Sequence, residues 1–246
     1  MSGKIGSITT DIIKNGLVFN VDAANRASYV NGNTKVFNTT NLSQSGSFEG
    51  APTFTPTLTG SYWHFDYVDD WIRIKDDQFP SNRTAFTCEC IYKFWAIHGN
   101  YRASAVSKWT SGGSSNTEWN LGGMNQNGPS PLSFTVYSAD SSEFSRATSS
   151  MDYSINTWYH HVGTFDGTNN GLLKSYVNGV LHQSVESGYS ACRTYSAQDV
   201  AIATYASGYG GLTKVNVSRF NYYNRALSAE EVLHNYNALK GRFGLT

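Results

Sequence analysis

Roughly 12–14 short segments of this 246-residue chain alternate apolar with polar side chains or are rich in aromatic and β-branched residues. Each is closed by Gly, Asn, Ser, Thr or Pro. Such a rhythm leaves a stack of antiparallel sheets as the economical way to bury one face of every segment. From Gly16, GLVFNVDAAN sets Leu17, Phe19 and Val21 on one face. Residues 31–60 read as loops and short edge strands, and SYWHFDYVDDWIRI (61–74) as two strands around an acidic bend. AFTCECIYKFW (85–95), RASAVSKW (102–109), EWNLGG (118–123), LSFTVYS (132–138), VAIATY (200–205) and KVNVSRFNYY (214–223) are further strands. Asn178-Gly179, between SYV and VLHQSV, is a two-residue hairpin signal, because both positions tolerate positive φ.

The end of the chain changes period. Ser228 and Glu231 form a capping box, Val232, Leu233, Tyr236 and Leu239 fall on one helical face, and Gly241 sits where a left-handed cap is easiest. The 23 glycines, 14% aromatics and 15% charged residues fit an all-β chain. No linker interrupts residues 16–245 and no unit repeats, so the expected organisation is an N-terminal arm, 1–14, and one domain, 15–246.

Three phrases together resemble a known family. SRFNYYNRALSAEEVLHNYNALKGRFGL at the end, FDYVDD at 65–70 and TWYHHVGTFDGTNNGLLKSYVNG at 157–179 resemble the laminin-G-like, concanavalin A-like jelly roll. AFTCECIYK matches the strand that the family writes FTIEAWVK, and Tyr67 stands where the family has glycine in its acidic bend. The closing NYNALKGRFGL resembles versions in virion structural proteins of tailed bacteriophages. The resemblance implies an all-β, antiparallel β-sandwich of jelly-roll type with a short C-terminal helix.

Composition and motifs exclude several functions. With 18 basic and 18 acidic residues the chain lacks the positive charge from which nucleic-acid affinity is drawn. The start, MSGKIGSITTDIIKNG, is not a signal peptide, and no segment reaches membrane-spanning length, so a chain without membrane insertion is expected. Cys88, Cys90 and Cys192 suggest reduced, buried thiols rather than a disulfide framework or, with His160 and His161, a zinc site. His160 and His161 face opposite sides of a strand, one expected half-buried and one exposed. Asp66, Asp69 and Asp70 would converge on a calcium ion only if their bend allowed it; otherwise they cap turn amides. Glu89 has no acidic partner two or four residues away, Glu118 lies alone and Glu230-Glu231 belong to the helix start, which leaves a glycosidase without its carboxylate pair. No nucleophile elbow or phosphate loop occurs. Trp63 and Trp71 read as core, the resemblance makes Trp158 structural, and Trp109 and Trp119, flanking KWTSGGSSNTEW, are the candidates for an exposed sugar-stacking surface.

The resulting expectation is a non-enzymatic structural protein of a tailed-phage virion. It would be assembled in the host cytoplasm and displayed on the particle as capsid decoration or a fibre-like appendage. It would form homo-oligomers, contact other virion proteins and adhere to surface glycans, without catalytic, cofactor or metal residues. A free lectin-like module is the first alternative and a diverged glycoside hydrolase the second.

Overall fold

Alternation along the chain becomes two layers. The computed structural model describes residues 11–58, 60–96, 103–109, 117–123, 129–139, 143–194, 198–204 and 211–245. In chain order the strands are β1 (Leu17–Asp22), β2 (Lys35–Phe37), β3 (Ser45–Glu49), β4 (Thr53–Thr55), β5 (Tyr62–His64), β6 (Trp71–Ile74), β7 (Ala85–Phe94), β8 (Ser104–Trp109), β9 (Thr117–Gly123), β10 (Pro131–Tyr137), β11 (Phe144–Asp152), β12 (Tyr159–Asp166), β13 (Leu172–Val177), β14 (Val180–Glu186), β15 (Val200–Ile202) and β16 (Val215–Tyr223). A short 3-10 turn (Asp76–Gln78) follows β6, and an α-helix, α1 (Ala229–Phe243), follows β16. It is too short and too polar to cross a membrane.

The strands pair antiparallel into two eight-stranded sheets. The first runs β14-β13-β12-β7-β16-β5-β4, with β1 also on β16; the second runs β11-β10-β9-β8-β15-β6-β3-β2. The expected sandwich with a C-terminal helix is therefore present. β11 is an addition to the expected strands. It is an edge strand, and its sequence, FSRATSSMD, points only Ala147 and Ser149 into buried positions, so its alternation is faint.

The inner faces share one aromatic core, in which Trp119, Tyr222, Phe86, Phe134, Phe79 and Phe220 touch. Cys88 and Cys90 lie in it on one face of β7, and burial pushes both thiols well above their ordinary range, so they stay neutral. Asn178 (φ 51°) and Gly179 (φ 79°) form the expected tight hairpin turn between β13 and β14.

Two irregularities shape the outer face of the first sheet. A bulge between Leu17 and Phe19 leaves Val18, Phe19 and Val21 on the main core but turns Leu17 to the opposite side. The expected single face for Leu17, Phe19 and Val21 is thus broken at Leu17. A second bulge, between Val217 and Arg219, keeps Val217 and Phe220 inward and turns Arg219 outward. Across this outer face lies α1. Val232 packs with Val162, Tyr176, Tyr223 and Leu227, joined by Ile13 and Leu17. The Ser228–Glu231 capping box forms, and the Arg225 guanidinium grips Glu231 at 2.6 and 2.7 Å.

Two details of α1 differ from expectation. Leu233 is exposed, and its place on the buried face is taken by Asn235. The helix also runs through Gly241 to Phe243 and caps at Gly244 (φ 60°), because Arg242 reaches Asp22 and Phe243 packs on Trp158. Of the expected arm, Asp11–Lys14 lies along α1: Ile13 N–H donates to Asn235 and its carbonyl accepts from the Tyr223 hydroxyl.

Gly241 has no atom within 4 Å of where a Cβ would stand, so Gly241→Ala should stabilise the chain by about 1 kcal/mol and raise Tm by roughly 2–4 °C. A fall in Tm would restore Gly241 as the cap. A Cβ at Gly163 would run into the Phe134 ring, so Gly163→Ala should cost about 1–3 kcal/mol or more in the same thermal melt.

Candidate functional site

The first sheet offers its outer face where α1 ends, and a band of half-buried rings collects there. Register sets it up: Asn216 of β16 lies opposite Lys93 of β7 and opposite His64 of β5, all on the outer side. Tyr62 and His64 flank the inward Trp63 on β5. Trp158 enters β12 beside them, with its ring centroid 5.4 Å from Tyr62 and 5.1 Å from Phe243 of α1. The Lys93 ammonium sits 5.4 Å from the Trp158 centroid and 5.8 Å from that of Tyr62, a cation–π geometry. His64 lies against Trp95 at 5.2 Å and meets Asn216 at 2.7 Å through Nδ1. Tyr62, His64, Lys93, Trp95, Trp158 and Phe243 are all partly exposed. Flat apolar faces with amide, imidazole and ammonium groups among them match a sugar, which shows C–H faces and hydroxyl edges.

The tryptophans thus divide differently from the sequence reading. Trp63 and Trp71 are buried as expected. Trp109 and Trp119 are buried too, rather than exposed, because β8 and β9 turn Trp119 into the inter-sheet core and Trp109 against Tyr137. Residues 110–116 between them lie outside the described residues. Like Trp95, Trp158, read as structural, is half-exposed. Its only sequence signal is its place at the mouth of β12, ahead of the alternating run.

Beneath α1 a polar layer replaces the usual apolar contact. Asn20, Asn221 and Glu89 stand in one cross-strand row on β1, β16 and β7. Asn20 bonds Asn221, and Asn221 donates to Glu89 at 2.8 Å. Asn235 of α1 donates to Glu89 at 3.0 Å, and His160 meets the other Glu89 oxygen at 2.6 Å. Burial pushes the Glu89 carboxyl up, but His160, Asn221 and the charge of Arg219 together hold it below its ordinary value.

His160 and His161 do face opposite sides, yet both are fully buried, correcting the expectation of one half-buried and one exposed ring. His160 lies under α1 against Tyr236, while His161 lies in the sandwich between the Tyr92 hydroxyl (2.9 Å) and Ser175 (3.2 Å). Glu89 is enclosed with its oxygens occupied, which is no arrangement for attacking a glycosidic bond.

The acidic bend does converge. One carboxylate oxygen from each of Asp66, Asp69 and Asp70 lies within 4.8 Å of the others. The same carboxylates cap the bend: Asp70 accepts from Ala51 N–H at 2.6 Å and from Asp66 N–H at 3.3 Å, and Asp66 from Val68 N–H at 2.8 Å. Burial, with the two neighbouring acids, raises the Asp70 carboxyl. Tyr67 has a positive φ of 73°, a region that favours glycine, and its ring lies under the Lys214 ammonium.

Residues 65–233 match a family model described as the concanavalin A-like lectin/glucanases superfamily. The chain belongs to that superfamily. No curated protein sequence matches it. Among solved structures, this lectin/glucanase-type chain is similar to the binding domain of Paraclostridial Mosquitocidal Protein 1, with TM-score 0.68 and 14% identity over 91% of this chain and 52% of that one. It is also similar to the receptor-binding domain of botulinum neurotoxin C/D mosaic serotype, with TM-score 0.65 and 13% identity over 90% and 51%. A third is domain 4 of AbnA, a GH43 extracellular arabinanase of Geobacillus stearothermophilus, in complex with arabinotriose, with TM-score 0.63 and 14% identity over 89% and 98%. The chain spans about half the length of the two toxin binding domains. At these identities the likeness is one of fold.

Burial pushes His161 down to about 3 from 6.5, so it is neutral when folded and takes up a proton on unfolding below pH 6.5. Its contribution is intact above pH 6.5 and drains away as pH falls toward 3, amounting to about 2 kcal/mol lost at pH 5. His161→Gln should be less stable at pH 7 but lose less Tm between pH 6.5 and 5. Parallel Tm–pH curves for the two proteins would contradict a buried neutral His161.

Proposed function

We propose that this chain is a non-enzymatic, lectin-like adhesion protein that binds glycans through the ring band of Tyr62, His64, Lys93, Trp95, Trp158 and Phe243. The observation that carries this reading is the Trp158 ring, half-exposed between Tyr62 and Phe243 under the Lys93 ammonium. Two similar folds support it by what is known of them: domain 4 of AbnA is seen with arabinotriose, and cell entry of botulinum neurotoxin type C depends on two ganglioside molecules. The setting we propose is the surface of a tailed-phage virion, as capsid decoration or fibre-like appendage in homo-oligomeric form. The likeness of NYNALKGRFGL to phage virion endings supports that setting.

On a glycan array the intact chain should bind a defined subset of sugars. Trp158→Ala should weaken that binding by at least about tenfold, or roughly 1.4 kcal/mol, with Tm changed by only a few degrees. Binding unaffected by Trp158→Ala, or absent for the wild-type chain, would overturn the ring band as the site. Mass spectrometry of purified particles should contain the chain. Glycan binding by a chain missing from every particle would favour the free lectin.

A further inference from the structure

A second cleft opens beside α1, meeting the ring band where Arg242 lies over Phe243. Its volume is about 670 Å³, within the usual range for small-molecule sites. One wall is the docked segment with Asp11, Ile12 and Lys14, followed by Leu17 of β1. The other is the last half of α1, with Ala238, Leu239 and Arg242. Asn20 and Arg219 form the floor, and Asn25, Thr39 and Thr40 the rim.

Two arginines meet at the floor. Arg219 and Arg242 share one carboxylate, Asp22, at 3.1 Å from Arg219 and at 2.7 and 2.8 Å from Arg242. Asp22 and Arg219 are largely buried, with side chains 6% and 11% exposed. Burial pushes the Asp22 carboxyl up, but the two guanidinium groups hold it below its ordinary value, so it is charged. Glu89, the next carboxylate inward, bonds His160, Asn221 and Asn235 and is also held ionised by the Arg219 charge. At the mouth, Lys14 pairs with Asp11 at 2.7 Å, both well exposed and screened by solvent. The charges around the floor are matched, since Arg219 also acts on Glu89 and Asp11. What the floor offers is donors: Asp22 takes two of the five guanidinium N–H groups of Arg242, whose side chain is 24% exposed and lines the cleft. The Arg242 fork is engaged by Asp22, and its remaining N–H groups can donate to a second carboxylate.

The remaining lining fits a sugar ring bearing that carboxylate. Leu17, Leu239, Ile12 and Ala238 offer apolar surface to C–H groups, while Asn20, Asn25, Thr39 and Thr40 offer amide and hydroxyl partners. We infer that this cleft binds an acidic sugar, a uronic-acid or sialic-acid residue, with its carboxylate on Arg242 and Arg219. The site adjoins the ring band, since the Arg242 guanidinium lies 5.3 Å from the Phe243 centroid, but it does not depend on the role given to that band.

The test is a methyl and amide NMR titration of the full chain with a galacturonate oligomer, sialic acid, the neutral galactose counterpart and sodium sulfate. Expected are saturable shifts of the Leu17 and Leu239 methyl signals with one of the acidic sugars. Galactose and sulfate should bind at least about tenfold more weakly. Raising salt should weaken the acidic sugar, as screening requires. Arg242→Gln should lose at least about tenfold in affinity; Asp22 keeps Arg219 in that variant. Lys14→Gln, at the exposed mouth, should fold unchanged and lose a smaller factor. Trp158→Ala should leave acidic-sugar binding intact, which separates this site from the ring band. No shift with either acidic sugar, equal shifts with galactose, or sulfate binding as tightly as the sugar would each overturn the inference, the last reducing the cleft to a simple anion hole.

Discussion

Asp22 joins parts of the chain far apart in sequence. Its carboxylate takes Arg219 from the last strand and Arg242 from the last turn of the helix, and it caps Ala24 at the turn that follows β1. Two structural choices serve this contact. The bulge before Arg219 turns that side chain to the outer face, and the helix continues past Gly241 so that Arg242 can arrive. A buried ion pair is poor evidence of stability, because desolvation offsets much of its attraction. What it supplies is a unique seat: α1 has one position on the sheet in which Asp22 and Glu89 are both satisfied.

Everything of functional interest follows from that seat. With α1 fixed by Asn235 on Glu89 and by Arg242 on Asp22, its end delivers Phe243 to Trp158. It also leaves a cleft against the docked segment at Asp11–Lys14. The inner faces, by contrast, are closed with aromatic rings and neutral thiols. Both proposed binding surfaces border the outer face of the first sheet.

Local signals were legible in the sequence and long-range ones were not. The Ser228–Glu231 capping box and the Asn178-Gly179 turn depend on neighbours within a few residues, so their residue types sufficed. Cys88 and Cys90 could be placed together because a strand has a period of two. The helix end was misjudged at Gly241, since its true end depends on Asp22 and Trp158, more than 80 residues away in sequence for the nearer of the two. Trp109 and Trp119 looked exposed because they flank a Gly/Ser run, yet burial is set by which way their strands face. The buried His160 pair with Glu89 had no trace in the sequence: the two residues lie 71 positions apart and meet only through the register of β12 on β7. Bulges at Val18 and before Arg219 are likewise invisible to a pattern that assumes strict alternation.

The measurement that bears most directly on the function is an NMR titration following the indole N–H signals of all six tryptophans as a bound glycan is added. The signals of Trp158 and Trp95 should move and saturate together, while Trp63, Trp109 and Trp119, which are buried, stay in place. Movement confined to Trp109 and Trp119, or a saturating glycan that leaves Trp158 unmoved, would place ligand binding elsewhere on the sandwich and contradict the role given to the outer face.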